Sequence, residues 1–213
     1  MTTDDHIVFI VDDDVRIREA LTELLASHGM RAVAYGSAGE YVRADKPDLP
    51  ACLILDVELP DINGLELQKQ IADGDHPQIV FITGHGDIPS SVRAIKHGAV
   101  DFLTKPISDE DLMRAVRTGL AQDRQARLER IEMAALRERY AALTPRERDV
   151  MPLVVSGLLN KQAAAELGIS EVTLQLHRRN VMQKMAAASL ADLVRMAEKL
   201  QIPVTHSRRA GEG

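Results

Sequence analysis

Cysteine is nearly absent from this chain. Cys52 is the single one in 213 residues, so no disulfide can form within the molecule. It lies in ACLIL at the mouth of an apolar strand, where a buried, inert thiol is expected rather than a nucleophile. Long apolar stretches are absent too. No run approaches the roughly 18 residues a membrane span needs, and no charged-then-apolar signal segment opens the chain. A soluble, cytoplasmic protein without membrane contact is the expectation. Positive charge is scarce in the front: residues 1–119 carry 21 acidic and 11 basic side chains, whereas 144–213 carry 7 acidic and 10 basic. An acidic regulatory part joined to a part that meets a polyanion suits this split.

A chain of 213 residues accommodates two small domains. The first 120 residues alternate short apolar runs (Ile7 to Val11, Arg31 to Ala34, Leu53 to Leu55, Ile79 to Ile82, Val100 to Leu103) with longer amphipathic stretches. The stretches are Val15 to Ser27, Asn63 to Ala72, Ile88 to His97 and a segment from Asp109. This alternation predicts an α/β fold, a doubly wound (βα)5 parallel sheet covered on both faces, over residues 1–122. The segment QDRQARLERIEMAALRERYAAL lacks Gly and Pro, and predicts a solvated linker helix over 123–139. Leu128, Ile131 and Ala135 form a short stripe on it. Thr144-Pro145-Arg146-Glu147 supplies an N-cap, a proline at the first helical position and an acidic first turn, opening a second, smaller all-α domain over 140–204. Residues 205–213 are expected to be a disordered tail.

Four of the front runs end on, or lead into, a reactive polar group: Asp12 and Asp13 in FIVDDD, Asp56 in LILDVELPD, Thr83 in VFITGHGD and Lys105 in DFLTKP. In a sheet of order 2-1-3-4-5, strands 1 and 3 flank the switch in strand order where ligands bind. Carboxylates gathered there repel one another, a cost that Mg²⁺ removes. Asp13 and Asp56 are the expected ligands, with Asp12 in an outer or water-mediated position and a backbone carbonyl from Glu58. An Asp56 oxygen beside such a cation can attack phosphorus. The Thr83 hydroxyl and Lys105 ammonium can then hold the remaining phosphoryl oxygens. Phe102, three residues before Lys105, is a candidate switch that rotates into space vacated by Thr83. Each motif alone is weak; their joint order carries the reading. A phosphatase of the haloacid dehalogenase type uses similar groups, but wants an Asp two residues after the nucleophile, where this chain has Glu58.

In the back domain, Lys161 to Leu167, a turn at Gly168-Ile169-Ser170 and a helix from Glu171 to Met185 predict a helix-turn-helix. Leu174, Val181 and Met185 share a face expected to be buried, and the other face carries polar and cationic groups suited to a major groove. Pro152 falls inside the preceding helix, and Leu176 faces outward. A back domain that binds only protein or RNA is the competing reading.

On these residues the front resembles the receiver domain of bacterial two-component response regulators, and the back resembles the LuxR-type helix-turn-helix. The whole chain is similar to the FixJ subgroup of the NarL/FixJ family, including TGHGD after strand 4 and LTPRE. The resemblance implies a phosphorylation switch rather than an enzyme, with Asp56 accepting a phosphoryl group from a sensor histidine kinase. It implies homodimerisation on phosphorylation and control of transcription through double-stranded DNA, with RNA polymerase a candidate partner. It implies that Lys161, Thr173, His177, Arg178, Asn180 and Lys184 contact DNA or support the contacts, and that Lys105-Pro106 is cis. Family members often carry Tyr where Phe102 stands.

Overall fold

The computed structural model describes residues 6–71, 76–84 and 88–203. The chain forms two compact units, Met1–Arg127 and Leu128–Gly213. The first is a five-stranded parallel sheet of order β2-β1-β3-β4-β5, with β1 Ile7–Val11, β2 Ala32–Tyr35, β3 Ala51–Asp56, β4 Gln78–Thr83 and β5 Asp101–Thr104. Every residue of β1 and β3 is buried, which is why these strands read as unbroken apolar runs rather than as alternation.

Helices α1 Val15–Ser27, α2 Ala38–Arg43, α3 Gly64–Ile71, α4 Ile88–Lys96 and α5 Asp109–Ala141 follow the strands. Leu21 and Leu25 of α1 pack with Leu112 and Val116 of α5 on one sheet face, while Tyr41 and Leu67 join Phe9 and Phe81 on the other. Helix α2 has no counterpart among the amphipathic stretches of the sequence, because six residues are too few for a period. Its signal was local: Ser37 accepts from the Glu40 N–H and Glu40 from the Gly36 N–H, a serine and glutamate at capping distance.

Residues 123–139, expected to form a helical linker, lie within α5. Helix α5 runs without interruption, and its Asp123, only 1% exposed, accepts from the Ala51 N–H at the start of β3 (2.9 Å) and from Arg127 Nε (2.9 Å). Arg127 also pairs with Asp48. Within the second unit, Leu136 of α5 packs in the core of the helical domain. Leu128 and Ile131 are exposed.

The second unit adds α6 Pro145–Val155, α7 Asn160–Leu167, α8 Glu171–Met185 and α9 Leu190–Lys199. Thr144 and Glu147 form a reciprocal capping box at the start of α6. That helix continues one turn past Pro152, whose carbonyl accepts from the Ser156 N–H (3.1 Å) and hydroxyl (2.6 Å), so the proline deletes one bond near the end without stopping the helix. Gly168 adopts φ +65° between α7 and α8, the left-handed turn that a helix-turn-helix needs. The tail expected to be disordered, and the His85-Gly86-Asp87 part of TGHGD, lie outside the described residues.

Candidate functional site

The parallel register brings the reactive groups to one edge. Asp56 pairs with Ile82, so Thr83 stands one residue further toward the carboxyl ends of the strands. The Lys105 N–H donates to the Thr83 carbonyl (2.8 Å), fixing the loop after β5 beside the end of β4. Asp12 follows β1 directly, and Lys105-Pro106 is cis. One carboxylate oxygen from each of Asp12, Asp13 and Asp56 lies within 4.8 Å of the others. Asp12 and Asp56 are buried while Asp13 is exposed, so the cluster opens to solvent on the Asp13 side.

The Lys105 ammonium bridges two of these acids, at 2.7 Å from Asp12 Oδ2 and 2.6 Å from Asp56 Oδ2. Burial opposes charge on both partners, with different results. At Asp12 desolvation dominates and pushes the carboxyl above the usual carboxylate range, despite hydrogen bonds from Lys105 and the Asp14 N–H. At Lys105 desolvation is outweighed by its two carboxylate partners, and the ammonium is held above its ordinary value. Three acids against one ammonium leave an excess of negative charge. The donors are hard carboxylate oxygens with an open side, which fits a hydrated Mg²⁺ in chemistry and access.

Three supports were not singled out in the sequence. The Arg18 guanidinium donates to the Asp12 carbonyl (2.7 Å), and Asp61 accepts from the Gly39 N–H (2.8 Å) and Ala38 N–H (3.3 Å), tying the loop after β3 to the start of α2. Gly64 is the third: a Cβ there would stand 2.3 Å from the Asp56 carbonyl oxygen. Only Gly is compatible with that approach. No sequence period reveals it, since the contact depends on α3 folding back over β3. The Glu58 N–H donates to Asp56 Oδ1 (3.0 Å). Thr83 is fully buried, and Phe102 is partly buried against the core with its ring centroid 6.1 Å from that of Phe81.

In the second unit, α8 buries Leu174, Val181 and Met185 as expected, and exposes Thr173, Gln175, Leu176 and Arg179. Lys161 is exposed at the start of α7. His177 and Asn180 are partly buried, and His177 Nδ1 has no hydrogen-bond partner among the described residues. Arg178 donates to Asn160 Oδ1 (2.9 Å), joining α8 to α7. Lys184 turns inward: its ammonium meets buried Glu147 at 2.6 Å. Burial alone would raise Glu147, yet the bonds from Lys184 and the Thr144 backbone bring it down to about 2. Lys184 therefore supports the fold of the domain. Gln175 and Arg179, both on the exposed face beside Leu176, have no hydrogen-bond partner among the described residues.

Residues 8–117 match the response regulator receiver domain, and residues 141–197 match the bacterial regulatory proteins of the luxR family. Nodulation protein W of Bradyrhizobium diazoefficiens is 49% identical over 95% of this chain and 90% of its own length. Transcriptional regulatory protein FixJ of Azorhizobium caulinodans is 43% identical over 89% of this chain and 90% of its own. The solved structure of the response regulator StyR is 44% identical, covers 92% of this chain and 99% of its own, and superposes with a TM-score of 0.80. No helix among the described residues is long and apolar enough to cross a membrane. A receiver unit and a LuxR-type helix-turn-helix, matched in one order along nearly the whole chain, make this protein a member of the FixJ-like two-component response regulators, which regulate transcription.

Proposed function

We propose that Asp56 is the phosphoacceptor of this regulator and that its phosphorylation controls self-association and DNA binding. The observation that carries the reading is the convergence of Asp12, Asp13 and Asp56 oxygens within 4.8 Å, with an ammonium 2.6 Å from Asp56. An Asp56 oxygen attacks phosphorus of a phosphohistidine on the kinase, the P–N bond breaks, and its electron pair returns to the imidazole nitrogen, which takes up a proton. Asp12, Asp13, Asp56 and the Glu58 carbonyl are the groups that would hold Mg²⁺, which neutralises charge on the incoming phosphoryl group. Lys105 releases Asp56 and takes a phosphoryl oxygen, and Thr83 takes another. Phe102, which packs beside Phe81, then rotates into the space that Thr83 vacates and alters the surface of α4 and β5 on which a second copy pairs.

On DNA, Lys161, Thr173, His177, Arg178 and Asn180 face or brace the major groove together with Gln175 and Arg179, while Lys184 acts through Glu147. Recruitment of RNA polymerase follows from promoter binding in this reading. Acetyl phosphate with Mg²⁺ should add one phosphoryl group to the wild type by intact mass, and none to Asp56→Asn. Equal labelling of the variant sinks the assignment. DNA affinity should fall steeply with added salt, as phosphate contacts require; a salt-independent affinity removes the DNA part.

A further inference from the structure

The opposite edge of the sheet carries a cavity. β1 starts at Ile7 and β2 at Ala32, so His6 and Met30 mark the amino ends of strands whose carboxyl ends lead to the acidic cluster. At this edge a cavity of about 410 Å³ is lined by His6, His28, Met30, Arg117, Leu120 and Arg124, among others. Its volume falls within the range of small-molecule sites, about 300–1,000 Å³.

The arginines of α5 divide into two kinds. Arg114 is paired with Asp111 (2.5 Å) and Arg127 with Asp123 (2.9 Å). Arg117 and Arg124 have no ion pair or hydrogen bond among the described residues. They stand seven residues apart, two helical turns, so both guanidiniums flank Leu120 on one side of the helix. Among the described residues, no carboxylate lines this cavity. Three carbonyls at the end of α1 already have partners: Gly29 N–H donates to Ala26, Met30 N–H to Leu25, and His28 Nδ1 lies 3.0 Å from the Leu24 carbonyl.

We infer that this cavity binds a small amphiphilic carboxylate, with its apolar body on Met30 and Leu120 and its carboxylate held between Arg117 and Arg124. A weakly hydrated guanidinium next to apolar surface suits a carboxylate on an apolar body. The apolar floor leaves inorganic phosphate without a partner for half the site. The site is separate from phosphoryl transfer, which uses the other sheet edge.

The test is a titration of the full-length ¹⁵N-labelled protein with 1-naphthoate, followed by amide chemical shifts. Saturable binding with a Kd below about 1 mM is expected, with shifts centred on Met30, Arg117, Leu120 and Arg124. Arg117→Gln and Arg124→Gln should each weaken it about tenfold, as loss of one charge-assisted hydrogen bond implies. Arg93→Gln on α4 should bind as wild type, and neutral 1-naphthylmethanol should bind about tenfold less tightly. Both arginine variants are surface changes, and unchanged melting confirms that they fold. No saturation, equal affinity for the alcohol, or arginine variants that bind as wild type would each overturn the inference. The Asp56→Asn protein should give the same titration, so the outcome does not depend on the phosphoacceptor assignment.

Discussion

Lys105 in the first unit and Lys184 in the second each place an ammonium 2.6 Å from a buried carboxylate, yet the two arrangements do opposite things. Lys184 meets one acid, and that acid is also satisfied by the Thr144 N–H at 2.8 Å. Charge and hydrogen bonds balance, Glu147 stays ionised down to about pH 2, and the pair locks α8 to α6. Lys105 meets two acids with a third nearby, and at Asp12 burial outweighs the hydrogen bonds, so this carboxyl is held above its ordinary value where Glu147 is held below. The first unit holds a charge imbalance that a cation or a phosphoryl group can change. A buried ion pair is structural when its count closes and responsive when it does not.

The sharpest way to break this comparison is Asp56→Asn, which should abolish phosphorylation by acetyl phosphate while leaving the melting of the helical unit unchanged. Next in size is Gly64→Ala. The added Cβ, 2.3 Å from the Asp56 carbonyl, should destabilise the receiver unit by about 3 kcal/mol in chemical denaturation. Lys184→Met should cost the helical unit about 2 kcal/mol, less than for a fully buried pair because the lysine is one-third exposed, and Mg²⁺ should not restore it. Lys105→Met should also destabilise its unit, but Mg²⁺ should recover most of the loss. The reverse pattern of rescue would erase the distinction.

A smaller effect is Asp13→Asn, which should weaken Mg²⁺ binding in a metal titration while leaving the melting of the helical unit unchanged. The pH dependence separates the units further. Glu147 is lowered on folding, so its stabilising contribution is complete above its unfolded value of 4.5 and disappears as pH falls from there toward about 2. Glu147→Gln should flatten acid unfolding of the helical unit in that window; an unchanged acid transition would remove the pair from the account.

The sequence disclosed those parts of the molecule governed by near neighbours. Strand runs, the boundaries of the helix-turn-helix and the buried trio Leu174, Val181 and Met185 follow from period and caps. The acidic cluster was legible because each member ends a strand, and a parallel sheet gathers such ends. The pairing of Lys184 with Glu147 was not legible, since Glu147 lies 37 residues away and no helical spacing links them. Read along its own helix, Lys184 is one more cation on a polar face. Gly64 and Arg18 escaped for the same reason: each acts on backbone carbonyls of the site, and a carbonyl carries no sequence signature. The short α2 was hidden by its length, although its cap was written in Ser37 and Glu40.

The approach of Gly64 to the Asp56 carbonyl bears on how this chemistry could be moved to another protein. Copying Asp12, Asp13, Asp56, Thr83 and Lys105 onto a different parallel sheet would carry the side chains without the space they occupy. A host helix beginning with any larger residue would push the strand that carries Asp56 out of line. The continuous segment from β3 through the first turn of α3 would have to move as one piece, with Gly64 as the joint beside Asp56.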